Sequence, residues 1–178
     1  ILLDYKTGKA RFSESLLYAG QKLQLLTYVA AAEKLTGKEC AGFFYMPVHD
    51  KFTDGGPRYG YIGRVLDDGE TVFEIDLAAR PGGRSEIVGC GIKKDGGISG
   101  NGKAGMTKEQ LDVYKRYTAV MLQNAVDDMK NGFIAQRPYD NACEHCVFSA
   151  VCDYIDLGGS GNKVSADMDT LTEAVKNG

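Results

Sequence analysis

A chain of 178 residues with 43% hydrophobic and 25% charged residues fits one domain of ordinary globular composition, with room for a second small subdomain. Its net charge of −3 provides no overall basic footprint for nucleic acid, although a basic groove can sit on an acidic protein. No apolar run is long enough to span a membrane, no signal peptide is visible, and neither an internal repeat nor a low-complexity tract is present. Residues 1–8, Ile-Leu-Leu-Asp-Tyr-Lys-Thr-Gly, form an apolar run that leaves through a Thr-Gly turn signal, which predicts a short buried strand. Ile1 opens that strand without an initiator Met, so the chain is expected to be a piece of something longer. Side chains alternate along a strand, putting Asp4 and Lys6 on one side and Leu3 and Tyr5 on the other. A carboxylate and an ammonium together at a strand end are costly to bury unless paired or used. Two readings are open: a structural ion pair, or metal-assisted phosphodiester hydrolysis. In the second, Asp4 holds a hard cation such as Mg²⁺, while Lys6 orients water or offsets charge developing on phosphate.

A helix is expected over residues 14–35, with Ser13 as N-cap and Gly37 as its stop. Leu16, Gly20, Leu23, Leu26 and Ala30 form the expected core stripe, and Gln24 and Tyr28 lie four apart on a neighbouring strip. Residues 40–48 read as a second buried strand closed by Pro47, and the strand–helix–strand order predicts that it lies beside the first. His49 and Asp50 read as a solvated strand-end pair. Residues 54–57 should be a loop, 59–66 a strand, 70–77 a short element of either type, and 85–93 an apolar β-rich stretch. Lys94-Asp-Gly-Gly97 is a hairpin turn signal.

Residues 97–103 match the first seven positions of a phosphate-binding loop, but Ala104 stands where the Mg²⁺-binding hydroxyl belongs and no buried strand leads in. A polar hairpin arm is the better reading. The second long helix starts at Thr107, with Gln110 completing a capping box and Met106 stapling from outside. Its core stripe is Leu111, Tyr114, Thr118, Leu122, Ala125 and Met129, ending at Gly132. Residues 133–139 then run extended into Cys143-x-x-Cys146 and Cys152. Three crowded thiols suggest ligation of Zn²⁺ or an iron–sulfur cluster in a reducing compartment, and both groups normally take four ligands. Cys40 and Cys90 lie in apolar strands and read as core, and His145 should point away, so the fourth ligand is expected outside the chain.

Asp4-Tyr-Lys-Thr-Gly8 followed by a helix carrying Gln24-x-x-x-Tyr28 resembles motifs of the RecB-type branch of the PD-(D/E)XK nucleases. Cys143-Glu-His-Cys146-Val-Phe-Ser-Ala-Val-Cys152 is similar to the iron–sulfur staple that ends that branch. Residues 60–68, residues 91–97 and the helix after Met106 resemble AddB-type subunits of bacterial helicase–nucleases. The resemblance implies an α/β fold, a mixed central sheet flanked by helices, truncated on its N-terminal side. The domain division would be a nuclease core fragment over 1–140 and a cysteine segment with tail over 141–178. It further implies that Asp4 and the Tyr5 carbonyl bind catalytic Mg²⁺, that Lys6 assists the attacking water, and that Gln24 and Tyr28 flank them. Cys143, Cys146 and Cys152 would supply three ligands of a [4Fe–4S] cluster. Lys22 stands where another Gln is expected. DNA and the AddA-type helicase–nuclease protein of a heterodimer are the implied partners, in the cytoplasm, with double-strand-break repair as the role and no membrane contact. The alternatives are a non-catalytic zinc module and a stand-alone nuclease of the same superfamily serving CRISPR adaptation.

Overall fold

Alternation along two neighbouring strands divides the molecule into two cores. In the computed structural model, the described residues are all but 9, 49–51, 54–55, 58–59, 100–103, 141, 145, 155–160, 162 and 178, with backbone alone described at 52–53 and 56–57. In chain order the elements are β1 (Leu2–Lys6), α1 (Glu14–Tyr18), α2 (Leu23–Thr36), β2 (Gly42–Pro47), β3 (Phe52–Thr53), β4 (Gly56–Pro57) and β5 (Ile62–Leu66). They continue as α3 (Gly69–Ile75), β6 (Gly91–Ile92), β7 (Ile98–Ser99), β8 (Gly105–Met106), α4 (Lys108–Lys130) and α5 (Met168–Asn177). The main sheet has the order β1-β2-β5-β8. β1 runs parallel to β2, β2 antiparallel to β5, and β5 parallel to β8, so the sheet is mixed, as expected.

Phe43 and Tyr45 on β2 face the helices, where they meet Leu25, Leu26 and Val29 of α2, Leu111, Tyr114 and Tyr117 of α4, and Leu171 of α5. Phe44 and Val65 face the other way, against Val72 of α3, Val88, Ile92 and Ile98. β1 lies at one end of the described sheet and is half-buried with Tyr5 exposed, which corrects the expectation of a buried strand.

The single helix expected over 14–35 is two helices. Ser13 caps the first, its hydroxyl accepting from Leu16 N at 3.3 Å. Gly20, at φ +73°, then ends it: Gly20 N donates to Leu17 O and Gln21 N to Leu16 O, both at 2.9 Å. Such a left-handed residue satisfies the last carbonyls of a helix and turns the chain, so Gly20 is a stop and not a core position. The break rephases α2. Its buried residues are Leu25, Leu26 and Val29, and Ala30 is exposed. Gly37 ends α2 at φ +67°, as expected.

Thr107 and Gln110 form the anticipated capping box of α4, with both reciprocal bonds present. Its core stripe holds for Leu111, Tyr114 and Thr118 but fails beyond Met121, because the helical-face core ends there. Leu122 is 39% and Met129 71% exposed. The 85–93 stretch is mainly turn, pinned by Ser85, whose Oγ donates to Asp76 Oδ2 at 2.7 Å and accepts from Val88 N. Only Gly91–Ile92 of it is strand, and it pairs with Ile98–Ser99 across the expected hairpin turn. The ambiguous element after residue 68 is helix α3, with Asp68 accepting from Glu70 N and Thr71 N. Helix α5 was not anticipated. It enters the same core as residues of the first half through Leu171, and Ser15 Oγ exchanges two hydrogen bonds with the Ala166 backbone.

Candidate active site

Leu2 packs on the helical-face core and Leu3 on the opposite one, so Asp4 and Lys6 project beneath α2. Lys6 Nζ stands 2.9 Å from Asp4 Oδ2 and donates to Gln24 Oε1, also at 2.9 Å. Gln24 Nε2 donates in turn to the Tyr28 hydroxyl oxygen at 2.9 Å, one helical turn along α2. Four side chains from two elements thus make one continuous polar chain. Its polarity is set by Lys6, which can only donate: Gln24 must turn its carbonyl to the ammonium and its amide to Tyr28. Tyr28 therefore accepts from within and keeps its own proton for an outside acceptor. Its side chain is 45% exposed and able to meet one.

Asp4 is the acidic end of this chain. Asp4 Oδ2 is ion-paired to the Lys6 ammonium and is otherwise buried without a hydrogen-bond partner among the described residues. Its partner is the Lys6 ammonium, and a carboxylate oxygen is also a hard donor of the kind a divalent cation takes. The Tyr5 carbonyl is also available. Lys6 O accepts from Val48 N of the neighbouring strand, and carbonyls alternate along a strand, so Tyr5 O points away from β2. No group of three His, Cys, Asp or Glu among the described residues is arranged to hold a metal ion.

Two further polar groupings were missed in the sequence, and Tyr45 is the one that lies against this chain. Tyr45 is the register partner of Asp4 on β2, and its ring centroid lies 5.2 Å from Lys6 Nζ. Burial, together with the charge of Asp4, pushes its phenol above the usual range. Glu14 opens α1 and accepts from Arg64 Nη2 at 2.7 Å and from the Tyr114 hydroxyl at 2.5 Å. Burial raises the Glu14 carboxyl, but the Tyr114 hydrogen bond and the Arg64 charge outweigh it and hold the group below its ordinary value. The signal for Tyr45 was the strand alternation of β2, which becomes informative only once the register with β1 is known.

The three clustered cysteines lie in turns beyond α4. Cys143 and Cys152 are half-buried and Cys146 is exposed. They do not converge into a ligand group among the described residues, and three thiolates fall short of the four a cluster takes, so the described residues present no assembled cluster site. Cys40 and Cys90 are buried in the two cores, as expected. Burial pushes the Cys90 thiol up, away from the thiolate form. His49, Asp50, His145 and residues 100–103 of the phosphate-loop-like stretch lie outside the described residues.

The profile of the PD-(D/E)XK nuclease superfamily matches residues 1–153. The chain belongs to this superfamily. Among curated proteins it is 30% identical to the B subunit of an ATP-dependent helicase/deoxyribonuclease from Thermoanaerobacter sp. strain X514, over 91% of this chain and 16% of that protein. It is 28% identical to the protein of that name from Clostridium botulinum strain Hall, over 98% of this chain and 17% of the relative. The counterpart in Desulforamulus reducens is 30% identical over 88% and 15% respectively. The chain therefore spans about one sixth of the length of the relatives it matches. No helix among the described residues is long and apolar enough to cross a membrane.

Proposed function

We propose that the chain is the catalytic part of a Mg²⁺-dependent DNA nuclease, acting within an AddB-type protein of a helicase–nuclease. The observation that supports this is the convergence of Asp4, Lys6, Gln24 and Tyr28, from the end strand of the described sheet and a helix, into one chain of an ion pair and two hydrogen bonds. A surface ion pair needs no second element to orient it. A reacting lysine does.

Asp4 Oδ2 and the Tyr5 carbonyl are the oxygens that would hold Mg²⁺, with phosphate and water completing its shell. When bound, the ion supplies charge stabilisation to the phosphate and acidifies water. The chain's own residues do the rest. Lys6, held between Asp4 and Gln24, places positive charge where the phosphorane oxygens become more negative. Gln24 fixes the direction of that ammonium, and Tyr28 offers its free proton to a nonbridging phosphate oxygen. Cys143, Cys146 and Cys152 would enter a [4Fe–4S] cluster only together with a fourth cysteine from elsewhere in a longer polypeptide. On this reading residues 1–140 are the nuclease core fragment and 141–178 the cysteine segment and tail. The protein works on DNA in the cytoplasm, beside an AddA-type helicase protein, in double-strand-break repair.

The test is Mg²⁺-dependent cleavage of linear duplex DNA by the subunit-length protein carrying Lys6→Ala. Loss of one such electrostatic group costs on the order of 10²–10³ in rate. Cleavage at the unsubstituted rate would remove Lys6 from the mechanism.

A further inference from the structure

Lysine has a long flexible stem, and the two polar partners of Lys6 do not restrain it equally well under working conditions. Asp4 lies 2.9 Å away, but a carboxylate that takes up a divalent cation shares its charge and weakens its hold on the ammonium. Gln24 holds the ammonium from the helix side through one neutral acceptor. The third neighbour is Tyr45. It is the Asp4 register partner, 2% exposed within the helical-face core, with its ring centroid 5.2 Å from Lys6 Nζ. An aromatic face attracts a cation through its quadrupole, and no metal competes for it. Because the ring is embedded among buried side chains, it cannot swing away with Lys6.

The geometry points to Tyr45 as a positioning residue of this site: its ring is the floor on which the Lys6 ammonium rests once Asp4 is engaged by a cation. This rests on the nuclease reading of Asp4 and Lys6. The hydroxyl plays no part in it; the π face does. Position 45 should therefore accept any ring of ordinary quadrupole and reject a ring of the same shape whose quadrupole is reversed.

The test compares Tyr45→Phe with pentafluorophenylalanine incorporated at position 45, both of which keep the buried volume nearly constant. Proton–carbon NMR of the lysine ε-methylenes in the 178-residue chain reads the geometry without any catalysis. The Lys6 ε signal is expected upfield of the other lysines in wild type and Tyr45→Phe, and to stay there as Mg²⁺ is raised far enough to saturate the weak site of this chain. With the fluorinated ring it should move to the position of exposed lysines. In the subunit-length protein, Tyr45→Phe should cleave within about twofold of wild type, while the fluorinated ring lowers kcat roughly 3- to 30-fold with KM unchanged. A Lys6 signal that lacks the upfield displacement in wild type, or that keeps it over the fluorinated ring, overturns the proposal. If Asp4→Ala leaves cleavage intact while the displacement is present, the nuclease reading fails and the placement of Lys6 on Tyr45 stands.

Discussion

Lys6 Nζ donates to Gln24 Oε1 at 2.9 Å across a separation of 18 residues, tying the end strand of the sheet to helix α2. The bond has a direct consequence for rate. Gln24→Ala leaves the ammonium beside Asp4 but removes its fixed direction and leaves Tyr28 without a donor. A hydrogen bond to a charged group is worth about 1.5–3 kcal/mol, and Asp4 retains part of the placement. Cleavage by the subunit-length protein should fall on the order of tenfold, less than for Lys6→Ala, in single-turnover assays. A Gln24→Ala protein slower than Lys6→Ala would mean that Gln24 acts on substrate and not through Lys6.

The Glu14–Arg64–Tyr114 cluster predicts an acid limb of stability. The Glu14 carboxyl is held below its ordinary value of 4.5, so the unfolded chain takes up a proton there at higher pH than the folded one. Its contribution is fully present above about pH 4.5 and is lost as pH falls through the lower folded value. Glu14→Gln should cost about 1–2 kcal/mol in urea unfolding at neutral pH. The difference from wild type should shrink as the pH is lowered below 4.5, and a constant difference would contradict the assignment.

Gly20 carries a backbone prediction. At φ +73° an added Cβ is strained, and it would also stand 3.2 Å from Met121 Cε of α4. Gly20→Ala should destabilise the chain by about 1–2 kcal/mol in chemical denaturation. If residues 14–35 were one continuous helix, the same change would stabilise, since Ala is the better helix former.

That contrast shows what was legible in the residues. Caps were readable because each rests on a local hydrogen bond: Ser13, Thr107 with Gln110, and Gly37 all stand where chemistry demanded. Gly20 was misread because its spacing also suited a core stripe, and only the turn of the backbone separates the two. The 85–93 stretch misled for another reason. Its apolar residues Val88 and Cys90 are buried outside any strand, and only Ile92 lies in one, the two-residue β6. The exposure of Leu122 and Met129 depends on where the core stops, which no periodicity contains. Alternation put Asp4 and Lys6 on one side and the helical repeat put Gln24 and Tyr28 on one strip, but it was the resemblance that joined the two pairs. Tyr45 and the Glu14 cluster needed the register between strands and the packing of α1 against α4.

On the proposed function, Asp4 carries the metal-dependent step. The decisive measurement is Mg²⁺-dependent DNA cleavage by the Asp4→Ala subunit-length protein, with helicase activity and partner assembly measured on the same preparation. Asp4 is the middle residue of β1, but its carboxylate belongs to neither apolar core and removing it opens no apolar cavity, so assembly and helicase activity should be retained while cleavage is abolished. The isolated 178-residue chain, with Asp4 the one carboxylate at the site among the described residues, should bind Mg²⁺ weakly and cleave negligibly. Full cleavage by the Asp4→Ala protein would contradict the account.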